Sequence, residues 1–278
     1  MYQFKYAYQT GWIWGDIYEG IKRLSKLGYN GVEVAGCPEY FSEAVKIKKA
    51  CQEEGIVASS ICSMLADHDI AHPYKAMRQK GIDHAKSTVD FAAGMDCTTV
   101  ILTPTRFGKY IPLAPIEEEL KIGAESMSIV AEHAKTVNVN LCIEAWDRFD
   151  TYLITNLAGA KALAQKINMP NVGVMLDTFH MNIEEKDMAA AVYEAGDLLF
   201  HFHVGDSNRA APGMGHIDFV PIFQALKNIK YKGYVTMELI PPAYNLDAYM
   251  TYADISPYYL EYPEVSIKYL KTIEEKLT

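Results

Sequence analysis

NVGVMLDTFHMNIEE, Asn171–Glu185, is the stretch that decides the fold. Its apolar run Val172–Leu176 stops at Asp177, and a helical segment follows at Asp187–Ala195. Three further runs close in the same way: LCIEAW reaches Glu144, LLFHFH reaches His203 and YVTMEL reaches Glu238. The intervals between these four residues are 33, 26 and 35, close to the ~30 residues of one βα unit. Nearly continuous apolar runs without clean alternation are expected of parallel strands covered on both faces.

Working outward, the same rhythm fills the chain. The expected strands are Phe4–Tyr8, Gly31–Ala35, Ile56–Cys62, Thr98–Leu102, Asn140–Glu144, Val172–Asp177, Leu199–His203 and Tyr234–Glu238. Amphipathic helices are expected over Asp16–Leu27, Pro73–Ala93, Ile116–Thr136, Asn156–Ile167 with Thr155 as its cap, Asp187–Ala195 and Pro263–Leu277. Eight strands alternating with helical segments leave a closed barrel or an open doubly wound sheet. The open sheet usually carries a glycine-rich phosphate turn after its first strand, and none occurs here. The expected class is therefore α/β, a single (β/α)8 TIM barrel filling residues 1–278 as one domain, with no nucleotide cofactor. Its size agrees with the ~250 residues of such a barrel.

Composition narrows the function. A net charge of -9 argues against nucleic acid as a partner, because phosphates are neutralised by Lys and Arg. Cys37, Cys51, Cys62, Cys97 and Cys142 are scattered with no CxxC pair, so they read as small hydrophobes rather than a disulfide or zinc framework. No apolar stretch approaches the ~20 residues that span a bilayer, and MYQFKYAYQTGW lacks a leader pattern. A soluble, cytoplasmic protein without a membrane partner is expected.

Taken singly, an acid at a strand end usually caps the next helix. Taken together, Glu144, Asp177, His203 and Glu238 converge, because the C-terminal ends of barrel strands share one mouth. Such a group calls for a cation. Three carboxylates and one imidazole form a hard donor set suited to Mn2+ first, with Mg2+ or Co2+ as alternatives.

The segments IEAWDRFDTYLITN, NVGVMLDTFHMNIEE, HFHVGDSNR, APGMGHIDF and YVTMEL resemble the sugar isomerase/epimerase barrels related to xylose isomerase. Among these they are similar to ketose 3-epimerases of the D-tagatose/D-psicose (allulose) type. The resemblance is dense over strands five to eight; in the first half it rests on the strand rhythm and GYNGVEVAG. It implies that Glu144, Asp177, His203 and Glu238 bind the metal and that Glu144 and Glu238 are also the acid/base pair. It implies that His180 and Arg209 hold substrate hydroxyls and that Asp150 contacts substrate. Arg209 has an alternative as a salt-bridge partner of Asp206. Asp150 is one methylene shorter than the family glutamate, and the loops TPTRFGKYIPLAP and IPPAYNLDAYMTYADISPYYLEY differ from the family's. The metal centre is therefore more legible than the ketose.

Several residues are read on position alone. Tyr6, Trp12 and Trp14 near the first strand form a wall against a sugar face, or pack the barrel rim. Phe107 and Tyr244 belong to the same class. Glu33 is read as the end of strand two, contacting substrate or pairing with a barrel neighbour. His180 is read in a loop beyond strand six, His216 in a glycine-flexed loop able to close over the site, and His201 as facing the helix layer, opposite to His203.

The leading expectation is a metal-dependent ketose 3-epimerase acting on a small sugar. The alternatives are a lyase on the same barrel, cleaving 3-keto-glycosides (C-glycosides included) or dehydrating keto-inositols, and an aldose–ketose isomerase. An abasic-site endonuclease would need more histidines and a basic face; a sugar-binding protein would not need two opposed carboxylates. The resemblance also implies a homo-oligomer, dimer or tetramer, and a small partner subunit is compatible with the sequence.

Overall fold

In the computed structural model, eight parallel strands close into a barrel in the order β1 to β8, each paired with its sequence neighbours and β1 with β8. The structure describes residues 3–11, 15–63, 68–240 and 256–277, with the backbone alone for 256–259. The strands are β1 Lys5–Thr10, β2 Gly31–Gly36, β3 Val57–Ser63, β4 Thr99–Leu102, β5 Asn140–Glu144, β6 Val172–Asp177, β7 Leu199–Val204 and β8 Tyr234–Met237. The expected strands hold to within two residues at every end.

The described helices are α1 Ile17–Leu27, α2 Ala44–Glu53, α3 Lys75–Gly94, α4 Ile116–Thr136, α5 Leu157–Ile167, α6 Thr178–Glu184, α7 Met188–Ala195, α8 Phe219–Asn228 and α9 Ser256–Lys276. Their starts follow side-chain chemistry. Asp16 accepts from the N–H groups of Tyr18 and Glu19, and Asp187 accepts from that of Ala190, satisfying donors that have no intrahelical partner. Asn156, not Thr155, caps α5, its side chain accepting from Gly159 N–H. Pro263 lies inside α9 rather than at its start.

Alternation along the strands divides the interior in two. The main core fills the space between strands and helices, where Ile21, Ile47, Phe202, Phe219 and Phe223 are fully buried. A small separate cluster of Cys62, Ile101, Cys142 and Met175 comes from β3, β4, β5 and β6. All five cysteines are free and buried. At Gly173 a Cβ would lie 2.5 Å from the Phe200 ring. This close approach accompanies a register shift that sets Met175 opposite His201 and Asp177 opposite His203. No helix among the described residues is long and apolar enough to cross a membrane.

Candidate metal and proton-transfer site

Glu144 ends β5, Asp177 ends β6, His203 lies near the end of β7 and Glu238 follows β8 directly. Each offers a ligand atom within 4.8 Å of the others. The three strand residues are buried, and the Glu238 side chain is 13% exposed. Barrel closure produces this meeting, since four consecutive strands deliver their final side chains to one rim. Thr178 locks two of those strand ends, donating through its hydroxyl to Gly205 O (2.6 Å) and accepting from Gly205 N–H (3.0 Å).

Arg209 bridges Asp177 and Glu238 through its two terminal nitrogens and lies over the Phe179 ring at 4.8 Å. It does not pair with Asp206. That carboxylate instead accepts from the N–H groups of Ser207, Gly213 and Ile217, and so shapes the loop after β7. Arg209 has φ +63°, a left-handed conformation that costs about 1–2 kcal/mol outside glycine. The turn from Asp206 O to Arg209 N–H and the bond from Ile240 N–H to Arg209 O hold it there.

His203 is fixed from below. Its Nε2 lies 3.0 Å from Glu33 Oε2, while Nδ1 lies 3.0 Å from Glu238 and 3.9 Å from Asp177. Glu33 Oε2 also accepts from Ser60 Oγ at 2.6 Å and from His201 Nε2 at 2.9 Å, and Oε1 accepts from Gln9 at 3.1 Å. Burial by itself would raise the Glu33 carboxyl, but the imidazoles of His203 and His201 outweigh it and hold it well below the usual carboxylate range. Two sequence expectations are corrected here. His201 faces the barrel interior, because residues two apart on a strand share a face. Glu33 lies within β2, not at its end, and pairs with barrel neighbours.

His180 sits on α6 rather than in a loop. Its Nδ1 is 2.8 Å from Asp147 Oδ2 and 3.9 Å from Asp150 Oδ2, and its Nε2 is 3.9 Å from Asp177. The backbone N–H of Asp147 also reaches Nδ1, at 3.2 Å. The shorter carboxylate contact decides for a protonated Nδ1. Asp147 escaped the sequence reading; the available signal was an acid three residues beyond Glu144, closing an Asx turn onto Phe149 N–H. Asp150 is raised to about 6, first by burial, with His180 opposing and Asp147 adding.

Other expected residues lie elsewhere. Tyr6 faces the helix layer, its ring 6.5 Å from Phe4, which in turn packs edge-on against Phe223 of α8. It does not reach the mouth, because on β1 the inward side belongs to Gln9, two residues from Ala7. Trp12, Trp14 and Tyr244 lie outside the described residues. Phe107 packs edge-on against Trp146 at 5.9 Å, and His216 binds Ser207 Oγ at 2.8 Å on the exposed loop after β7.

The donor set fits a divalent cation on one local observation: Glu144 Oε1 is buried with no hydrogen-bond partner among the described residues. A buried, unsatisfied carboxylate oxygen is costly unless a cation or proton meets it. Burial first, then the negative charge of Glu238, pushes Glu144 upward. Burial acts the same way on Glu238, but Arg209 and His203 overcome it and hold that residue down.

Comparison with known proteins agrees with this fold. Residues 21–252 match the family model described as xylose isomerase-like TIM barrel. The chain is 33% identical over 226 residues to D-psicose 3-epimerase of Agrobacterium fabrum, covering 78% of this chain and 77% of that protein. It is also 33% identical over 242 residues to D-psicose 3-epimerase of Ruminiclostridium cellulolyticum, covering 84% and 81%. A crystal structure of a D-psicose 3-epimerase in the presence of D-fructose superposes with a TM-score of 0.85 at 26% identity, covering 97% of this chain and 99% of that one. The chain belongs to the xylose isomerase-like TIM-barrel family and is an isomerase-class enzyme with the fold of the carbohydrate epimerases.

Proposed function

We propose that the protein is a metal-dependent ketose 3-epimerase that uses Mn2+ by preference. The observation that carries the reading is the convergence of Glu144, Asp177, His203 and Glu238 within 4.8 Å around a carboxylate oxygen that lacks a partner among the described residues. Kinship with proteins named D-psicose 3-epimerase supports the substrate class.

Epimerisation beside a carbonyl requires removal of a weakly acidic C–H proton and its return to the opposite face. A divalent cation held by the four residues supplies electrostatic stabilisation of the oxygen charge that develops. Glu144 and Glu238 stand on β5 and just beyond β8, on either side of Asp177 and His203. One removes the C3 proton as general base; the other delivers a proton to the far face, and the roles exchange in reverse. Arg209 presents fixed donors suited to neighbouring sugar oxygens. His180, with Nδ1 given to Asp147, directs Nε2 inward toward a hydroxyl. Asp150 lies beside it as a further polar contact.

Incubation with Mn2+ and a panel of free ketoses in D2O, followed by NMR, tests the reading. Deuterium at C3 together with an epimer mixture is expected. Inactivity on every free ketose would overturn it.

A lyase acting on keto-glycosides shares the first proton abstraction. One observation favours it: the loop after β4, TPTRFGKYIPLAP, departs from the pattern of the ketose 3-epimerases, as a site for a bulkier group would. Release of an aglycone from a 3-keto-glycoside, without epimerisation of free ketoses, would select this alternative.

A further inference from the structure

The loop after β4 is anchored by a buried charge cluster outside the site described above. Lys109 is 5% exposed, yet it sits among charges. Its Nζ lies 2.7 Å from Asp69 Oδ2 and 2.9 Å from Glu119 Oε2, both also buried. Glu119 is fully committed: Oε2 also accepts from the Tyr152 hydroxyl, and Oε1 accepts from Leu113 N–H at 2.6 Å and Ala114 N–H at 3.0 Å. Lys109 Nζ lies 5.7 Å from the centre of the Tyr152 ring. One ammonium thus ties together the segment before α3, the loop after β4, the first turn of α4 and the loop after β5.

Stability alone does not account for such a cluster. Desolvating a cation and two anions offsets most of their attraction, and apolar replacement is often neutral or stabilising. The cluster's reach toward the candidate site suggests another role. Gly108 N–H donates to Asp150 O at 2.9 Å, Lys109 pairs with Thr151 in a parallel bridge, and Thr105 and Thr151 share a hydroxyl hydrogen bond of 2.8 Å. Asp150 is therefore fastened through its own carbonyl and through the next residue to the segment that Lys109 anchors. Its carboxylate lies 3.9 Å from His180.

We propose that Lys109 is a positioning residue for Asp150, acting through the Gly108–Asp150 and Lys109–Thr151 backbone attachments. Its kinetic consequence rests on the ketose 3-epimerase reading; its structural consequence does not.

Two measurements on the full chain test it. In hydrogen exchange, Lys109→Met deprotects both 106–114 and 147–152 while the strands β5 to β8 keep their protection. Deprotection confined to 106–114 would overturn the proposal. In ketose kinetics, Lys109→Met raises KM about tenfold, or about 1.4 kcal/mol, with kcat changed far less, and adds nothing further in an Asp150→Asn background. Additive effects of the two substitutions on KM would also overturn it. Should Lys109→Met fail to fold, Asp69→Asn, which removes one of the two ion pairs of Lys109 and lies outside both exchange windows, takes over both tests with smaller effects in the same pattern. If the wild-type enzyme turns over no ketose, the function reading fails by itself, and the exchange result decides for or against the clamp.

Discussion

His203 Nε2 lies 3.0 Å from Glu33 Oε2, and this contact aims Nδ1 at Asp177 and Glu238. A carboxylate behind a metal-binding imidazole fixes its tautomer and ring orientation, and loss of such a partner typically weakens metal affinity 10–100-fold, as an order of magnitude. We predict that Glu33→Gln weakens Mn2+ binding within that range while retaining the barrel's circular dichroism. Calorimetric titration checks it; a change below about threefold would remove Glu33 from this role.

Glu144→Gln and Glu238→Gln each remove one proton carrier while preserving volume. Loss of a positioned acid or base lowers turnover by about 10²–10⁴-fold. Each variant is predicted to lose interconversion of the two C3 epimers while retaining a cooperative melt, even where the remaining carboxylate still exchanges the C3 hydrogen on its own face. A Glu144→Gln enzyme with near wild-type epimerisation would refute its assignment.

Arg209 places a positive charge between Asp177 and Glu238. Arg209→Ala leaves both carboxylates without it, so the variant is predicted to melt lower in EDTA and to recover more on adding Mn2+ than the wild type does. Ligand at 100 times its Kd stabilises by about 2.7 kcal/mol, a shift of about 5–11 °C at the roughly 2–4 °C per kcal/mol of a domain somewhat smaller than this one. Equal Mn2+ shifts in both proteins, read by calorimetry, would contradict the expectation.

Asp150 supplies a pH signature. Its carboxyl is raised from 3.8 to about 6, so between those values the folded chain holds a proton that the unfolded chain has released. Stability must then fall as pH rises through that window. Asp150→Asn should flatten this part of the profile and gain at most about 3 kcal/mol at pH 7, taking 1.36 kcal/mol per tenfold change in proton affinity. Urea denaturation from pH 4 to 7 measures the slope; identical slopes would show that Asp150 is not the source.

The four candidate ligands and the barrel were legible in the sequence because both depend on local pattern. An apolar run that stops at Asp177 or His203 marks a strand end, and a repeat near the length of a βα unit makes those ends neighbours. The resemblance added His180, Arg209 and Asp150, and the structure brings all three to the same rim. What tertiary structure alone decided was pairing across the barrel. Glu33 meets His201 and His203 from 168 and 170 residues away, and no spacing rule carries that information. Asp206 shapes a loop instead of holding Arg209, because several backbone N–H groups converge on its carboxylate once the chain turns. Lys109 reads as one more loop lysine until Asp69 and Glu119 close over it. Periodicity fixes which way a strand faces; which side chain it meets is decided when the barrel closes.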